Sequence, residues 1–162
     1  MLSVQEIVEK IPNAQPHHVE RFHGELRSAV SEFQIDDVDS FIQSIAENSN
    51  NFTQVEEKFK YSAAELRKSF PKQFPDETLA KLYEYKEQKI AIRVYSGKHG
   101  NANEPRTDGW TYRGRGLLKI AGKNNYFKCG KALGIDLLSR PEYLATPEGA
   151  ARSAAWLWKN KL

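Results

Sequence analysis

The sequence has one cysteine, one methionine and no long apolar run. A lone cysteine, Cys129, excludes an intrachain disulfide and a cysteine-rich metal site, and its simplest role is that of a small buried residue. No segment reaches the roughly 18 consecutive apolar residues of a membrane-spanning helix. No run of like charges is typical of a nucleic-acid-binding arm. We therefore expect no membrane insertion, no nucleic-acid partner, and no metal or other cofactor.

The amino-terminal segment lacks the pattern of a secretion signal. Glu6 and Glu9 lie where a signal peptide has a basic end and an uninterrupted apolar stretch. We expect the protein to be cytoplasmic as synthesised, so that any action outside the membrane would depend on another factor for its release. The 162 residues are 40% hydrophobic, which suffices for a real core, and we predict one monomeric domain over residues 1–162.

The sequence does contain clear helical periodicity. Apolar residues recur at spacings of three and four over residues 16–33, which predicts a long helix. Ser62 and Glu65 form the pattern of a capping box, and the alanine- and tryptophan-rich residues 147–162 also predict a helix. Only "WTYRGRGLLKIAG" has the character of a β-hairpin, next to a glycine-rich loop. The fold class is therefore mostly α with one small hairpin.

The stretch "AENSNNF", residues 46–52, ends a helix that we expect Asp36 or Asp37 to cap. At about 100° per residue, Asn48 falls about 20° from Phe41 of the apolar stripe. We therefore expect Asn48 to point inward and Glu47 to face water. A polar side chain at this place either terminates the helix or faces a cleft, and the pattern leaves both open.

Two carboxylates, Glu56 and Glu57, follow shortly after this stretch in the sequence. Most glycosidases use a pair of carboxyl groups across the sugar, one protonated as the acid and one ionised. At the inward position of this chain the residue is an amide. An amide can hydrogen-bond a sugar hydroxyl, but it cannot deliver a proton.

Several motifs, in this order, resemble the phage and bacterial endolysins of glycoside hydrolase family 19, the chitinase-like group. They are "NFTQVEEKFKYSAAEL", "IAIRVYSGKHGN", "DGWTYRGRGLL", "GKNNYF" and "SAAWLW", and the resemblance runs from about residue 30 to the C-terminus. It implies a bilobed, lysozyme-like helical domain with a groove between the lobes. It also implies a glycan partner such as peptidoglycan or chitin.

The departures from the family pattern concentrate at the site. The family usually reads Ala-His-Glu-Ser-Gly-Gly-Phe where this chain has "AENSNNF", so its general-acid glutamate corresponds to Asn48. The resemblance implies that the base is retained as Glu57, that a cleft glutamine is replaced by Lys119, and that a water-positioning hydroxyl residue is replaced by Ala121. An asparagine usual in the family is Ile92 here. The substrate-binding positions implied by the resemblance are Tyr61, Arg113, Arg115, Lys119 and Asn125.

These replacements predict the loss of catalysis. A positioned proton donor supplies about 10² to 10⁴ in rate. We therefore predict a degenerate relative of a peptidoglycan or chitin hydrolase, a pseudoenzyme that binds a glycan or docks a protein in the former cleft, as an inhibitor or immunity factor would. The alternative is an active or weakly active muralytic enzyme that uses Glu57. In that case Glu47 could supply the acid only if its helix rewound by one residue.

Two further expectations concern the charges around Glu57. The resemblance places the "YRGRG" segment beside the cleft, where Arg113 and Arg115 would brace acidic side chains including Glu57. Lys119, which replaces a neutral residue of the cleft, could pair directly with Glu57 and occupy the floor of the groove.

Overall fold

The computed structural model describes residues 1–160, which form a mostly helical protein. Helix accounts for 57% of it and strand for 2%, which confirms the predicted fold class. No helix of this part of the chain is long and apolar enough to cross a membrane. The helices are α1 (Val4–Lys10), α2 (Pro16–Glu32), α3 (Val38–Asn48), α4 (Ala63–Ser69), α5 (Glu77–Tyr83), α6 (Glu87–Val94), α7 (Asp108–Thr111), α8 (Lys123–Leu133) and α9 (Pro147–Asn160), with a 3₁₀ helix at Pro141–Ala145.

Many helix ends follow from local sequence. Ser62 and Glu65 form the predicted capping box at the start of α4. The Asp37 carboxylate accepts a hydrogen bond from the Ser40 N–H at 3.1 Å and starts α3. The last helix begins at Pro147 as expected, and the final two positions of the predicted range lie outside the described residues.

The larger lobe is built around α2 and α9, which pack side by side under α1, α3, α8 and the 3₁₀ helix. Two apolar clusters fill it, and their fully buried members include Phe22, Leu26 and Phe41. Arg152 of α9 ties this lobe together because its guanidinium binds both carboxylate oxygens of Glu32, at 3.1 and 2.9 Å.

The smaller lobe contains α4 to α7 and has its own apolar cluster, which includes Phe59 and Trp110. Two segments of the chain pass from one lobe to the other. The first carries Phe52 in the core of the large lobe and Phe59 in the small one, and the second runs from Trp110 to Leu117 in the same way. Residues on these two segments therefore lie between the lobes.

The predicted hairpin is present only as single bridges. Within residues 1–160, the isolated antiparallel bridges join Glu56 with Arg115 and Arg115 with Ile120. The turn closed by the second bridge contains Gly116 and Lys119 in left-handed conformations, with φ of 97° and 58°. Such a tight turn leaves no length for a paired ladder.

Two glycines offer a matched test of this packing. A Cβ at Gly24 in α2 would meet nothing within 4 Å, whereas one at Gly149 in α9 would overlap the carbonyl oxygen of Tyr143. We expect Gly24→Ala to raise the free energy of unfolding by about 0.5–1 kcal/mol, and Gly149→Ala to lower it by about 1–3 kcal/mol. Urea denaturation followed by circular dichroism measures both, and changes of the same sign would contradict the described packing of α9.

Candidate functional site

The chain reverses direction directly after α3. Asn50, Asn51 and Phe52 have φ of 49°, 58° and 69°, in the left-handed region. Asparagine tolerates this region better than most residues, so the pair replaces the two glycines of the resembled family at little cost. The buried Ser49 supports the turn by accepting a hydrogen bond at Oγ from the Phe52 N–H at 2.9 Å. The polar residues of "NSNN" are therefore explained by backbone geometry.

Asn48, the last residue of α3, does not point into the core. Its side chain is exposed, and its Nδ2 donates to the Ser44 carbonyl oxygen at 2.8 Å. The predicted inward orientation is wrong because the helix ends here and Ser49, which is 0% exposed, enters the interior instead. Glu47 faces solvent, as expected.

Glu57 is half-buried on the first segment between the lobes, and its carboxylate is held from two sides. Oε2 accepts a hydrogen bond from the Tyr95 hydroxyl at 2.8 Å, and Oε1 accepts one from the Gly114 N–H at 3.2 Å. Gly114 permits this approach, since a Cβ there would lie 3.0 Å from Oε1. Burial, and then the charge of Glu57, raise the pKa of Tyr95 well above its usual range. The phenol therefore remains a donor to the carboxylate.

Sequence reasoning missed Tyr95. It lies in the small lobe, 38 residues from Glu57 in the chain, so no local pattern could reveal the contact. The only signal was its place in the "IAIRVYSGKHGN" motif.

The two arginines of "YRGRG" bind Glu56 rather than Glu57. Arg115 Nε and Arg113 Nη2 lie 3.0 and 3.3 Å from the same oxygen of Glu56. The prediction that they brace Glu57 is wrong, because neighbouring residues of an extended segment point to opposite sides. Arg115 is 5% exposed and also donates to the Thr111 carbonyl oxygen at 2.7 Å, so it supports the site from the interior and offers little surface to a substrate.

The turn after α3, residues 49–52, forms a corner in the chain, and Lys119 connects its two sides. Its Nζ donates to the carbonyl oxygens of Asn48 at 2.9 Å and Gln54 at 2.8 Å, which places positive charge at the negative end of the α3 dipole. Among the ion pairs of residues 1–160 none links Lys119 with Glu57, so the predicted direct pair is wrong. The Glu57 charge still acts on it. Burial lowers the pKa of Lys119 to about 8, and Glu57 opposes that shift.

The remaining predicted positions lie on either side of this centre. Lys119, Ala121 and Asn125 line one pocket of about 250 Å³, and Asn125 Nδ2 donates to the Ala121 carbonyl oxygen at 2.9 Å. Tyr61 is half-buried in the small lobe with its ring against Phe70. Burial, and next the charge of Glu57, raise the pKa of Tyr61 above its usual range. Substrate binding by Tyr61, Arg113, Lys119 and Asn125 stays a prediction.

No group of three or more His, Cys, Asp or Glu residues is placed to hold an ion within residues 1–160. Cys129 is buried, and burial raises the pKa of its thiol to about 12, so it is unsuited to act as a thiolate.

The family model for class I chitinases, glycoside hydrolase family 19, matches residues 48–161 of the chain. A glycosyl hydrolase family 19 domain-containing protein of Haemophilus influenzae is 41% identical over 120 residues, which cover 74% of this chain and 59% of that protein. Endochitinase 1 of Theobroma cacao is 44% identical over 57 residues, which cover 35% of this chain and 18% of that enzyme. The chain thus matches less than two thirds of the length of either relative.

Two solved structures share the fold. A bacterial family 19 chitinase superposes with a TM-score of 0.54 at 17% identity, covering 97% of this chain and 67% of that one. Chitinase C from Streptomyces griseus superposes with a TM-score of 0.52 at 16% identity, covering 96% of this chain and 53% of that one. At these identities the likeness concerns the fold alone.

The left-handed corner after α3 predicts a selective effect at Asn51. We expect Asn51→Ala to lower the free energy of unfolding by about 1 kcal/mol, since an alanine Cβ is disfavoured at this φ. Asn51→Gly should leave stability unchanged or raise it slightly. Urea titration of the three proteins measures the difference. Equal stability of the alanine and glycine variants would contradict a strained backbone at this position.

The charges around Lys119 predict its titration. In protein with ¹³C-labelled lysines, the Cε signal of Lys119 should titrate near pH 8, and in Glu57→Gln its pKa should fall further because the carboxylate raises it. Glu47→Gln, which changes an exposed carboxylate outside the causes of this shift, is the control. Because the unfolded lysine binds its proton up to about pH 10.5, Lys119 makes unfolding less favourable as pH rises from about 8 to 10.5. An unchanged titration in Glu57→Gln would contradict the coupling.

Proposed function

This chain belongs to glycoside hydrolase family 19, and from that membership we propose that it is a catalytically degenerate member that binds a glycan in its groove without cleaving it. The proposed glycan is a cell-wall polymer of the peptidoglycan or chitin type. In an endolysin-like setting the protein would meet it after release from the cell at lysis. The formal charge of +3 would favour an anionic wall.

The observation that carries this proposal is the asymmetry of the two expected catalytic positions. Glu57 is held by Tyr95 and by the Gly114 N–H, as a base that must be oriented would be. Across the corner, position 48 bears a carboxamide that turns back on its own helix. General acid catalysis needs a proton donor within hydrogen-bond reach of the leaving oxygen. The amide of Asn48 cannot take that role.

No neighbouring group replaces the missing acid well. Glu47 lies on the exposed side of α3, and Glu56 is turned toward the two arginines. Lys119 has a pKa of about 8, but two of its three protons already point at main-chain carbonyl oxygens. The Tyr95 phenol holds its proton too tightly, since its pKa is raised.

The polar groups that remain suit recognition of sugar hydroxyls. Asn48 and Asn125 carry amides, which both donate and accept hydrogen bonds, and Asn125 lines the pocket beside Lys119 together with Ala121. Affinity without cleavage is the expected result of keeping such groups while losing the acid. A protein docked in the same groove is the competing occupant, and it would act there as an inhibitor or immunity factor.

The second candidate is a weakly active muralytic enzyme, and the fixed carboxylate of Glu57 favours it. An inactive protein has no need to orient a base. In such an enzyme Glu57 would activate water while the leaving group departed without a strong acid, which would cost about 10² to 10⁴ in rate.

Co-sedimentation and turbidity assays with purified bacterial walls and with chitin distinguish these candidates. We expect the wild-type protein to sediment with one of the polymers and to cause no clearing. Clearing at the pace of an ordinary wall lysin, abolished in Glu57→Ala, would refute the proposal. Failure to bind either polymer would favour a protein partner in the groove.

Restoring the family residues provides the positive test. We expect Asn48→Glu combined with Lys119→Gln and Ala121→Thr to recover wall or chitin hydrolysis at least about 100-fold above the wild type. The matched control adds Glu57→Ala to the same variant and should remove the gain. Circular dichroism must confirm folding, because Lys119→Gln removes two hydrogen bonds to the corner. A folded restored variant without any gain would mean that more than the acid has been lost.

A further inference from the structure

A second groove lies on the small lobe, between α5, α6 and the loop at Pro105. Its volume of about 490 Å³ falls within the roughly 300–1,000 Å³ of ligand pockets. Leu82, Tyr83, Ile92 and Pro105 form its apolar side. We name it the α5–α6 groove. It shares no lining residue with the pocket at Lys119.

The floor of the α5–α6 groove is held in place from beneath. The Tyr83 ring packs against Phe74 at 5.2 Å, and the Arg93 guanidinium stacks 5.5 Å from the Tyr83 ring centre. Arg93 also donates to the Gln73 carbonyl oxygen at 2.9 Å and pairs with Glu104 at 3.2 Å. The one acid of the groove is thereby neutralised, and the apolar side is preformed.

The rim of the groove carries positive charge. Lys86 and Lys89 are exposed, and they take part in none of the ion pairs found in residues 1–160. The nearby acids turn inward, since Glu84 accepts a hydrogen bond from the Ala63 N–H and Glu87 one from the Phe59 N–H. Lys86 also precedes the first residue of α6, where a cation opposes the helix dipole. Helix stability therefore does not account for this lysine.

Apolar side chains are displayed at the same place. The exposed large hydrophobic residues of the described chain are few, and Leu82 at 60% and Tyr85 at 63% are two of them. Tyr85 has a φ of 59°, and its N–H donates to the Tyr61 carbonyl oxygen at 2.8 Å. A bulky residue in this conformation is unusual. The turn thus holds an aromatic ring in water beside Lys86.

We propose that the α5–α6 groove docks a segment of a protein partner in which one or two apolar side chains are flanked by carboxylates. The apolar residues would fill the space between Leu82, Tyr83 and Ile92, and the carboxylates would pair with Lys86 and Lys89. Charge complementarity selects an acidic peptide, because the groove exposes two unpaired cations and no free acid of its own in the described residues. This surface is independent of glycan binding at Glu57.

A glycan fits this groove less well. Sugar sites supply polar groups to many hydroxyls, whereas the side chains here are mainly aliphatic, proline and aromatic. A neutral polysaccharide would also leave both lysines without a counter-charge. A leucine or phenylalanine anchor between acids satisfies the apolar side and the rim together.

The probe is a fluorescein-labelled peptide, Asp-Glu-Leu-Glu-Phe-Asp-Glu, titrated with the full chain by fluorescence anisotropy. We expect saturable binding that weakens about tenfold in Lys86→Gln/Lys89→Gln, and weakens again as ionic strength rises to about 0.15 M. Leu82→Ser should also weaken it. A peptide with serine in place of leucine and phenylalanine, and one with glutamine in place of the acids, should bind at least about tenfold more weakly.

The matched control is Lys68→Gln/Lys72→Gln, which removes the same charge at exposed lysines outside the groove. It should change affinity by less than about twofold. Equal loss in both double variants, or equal binding of the serine peptide, would overturn the proposal. Binding of phosphatidylglycerol vesicles that is lost with Lys86 and Lys89, without peptide binding, would overturn it in favour of a membrane surface. The groove variants should still sediment with bacterial walls to the same extent as the wild type. This measurement tests peptide docking separately from the proposed glycan binding.

Discussion

The site depends on one joint between two segments that cross from lobe to lobe. The Glu57 N–H donates to the Gly114 carbonyl oxygen at 2.7 Å, and the Gly116 N–H donates to the Val55 carbonyl oxygen at 2.8 Å. These two main-chain bonds hold the segments side by side. Because neighbouring side chains of an extended segment alternate, Glu56 points to the arginines and Glu57 to Tyr95 and the Gly114 N–H. The two carboxylates thus acquire different surroundings from the same piece of backbone.

That division places Glu56 in an ionic cluster and leaves Glu57 with separate hydrogen-bond partners. Glu56 with Arg113 and Arg115 is a half-buried ionic cluster whose guanidinium groups also satisfy main-chain carbonyls. Removing one partner of such a cluster would leave a half-buried charge unpaired, which would lower the free energy of unfolding. The cluster therefore contributes to the stability of the scaffold. The Asn48 side chain at the end of α3 takes no part in this cluster. Its amide donates within its own helix, to the Ser44 carbonyl oxygen.

Lys119 and the asparagine turn act together at the end of α3. The asparagines keep a left-handed turn that glycine would also allow, and Lys119 then ties the carbonyl oxygen of Asn48 to that of Gln54. A neutral glutamine could donate hydrogen bonds to such carbonyl oxygens through its amide. It could not add positive charge at the negative end of α3. One charged side chain therefore bonds to the main chain on both sides of the turn.

Local sequence determined the helices of this protein, because caps and apolar periodicity act over a few residues. The capping box of Ser62 and Glu65, the Asp37 cap and the apolar stripe of α2 all lie where the sequence predicts them. The family motifs also predicted the fold, which the two solved family 19 chitinases share. Tertiary structure alone decided where the side chains of the site point. The inward orientation expected for Asn48, the arginine brace on Glu57 and the Lys119–Glu57 pair were all wrong. The first failed because α3 ends at Asn48, and the second because Glu56 and Glu57 point to opposite sides of an extended segment. The third failed because Lys119 bonds to main-chain oxygens far away in the chain. Such contacts, like that of Tyr95 with Glu57, are set when two lobes pack, and helix periodicity carries no information about them.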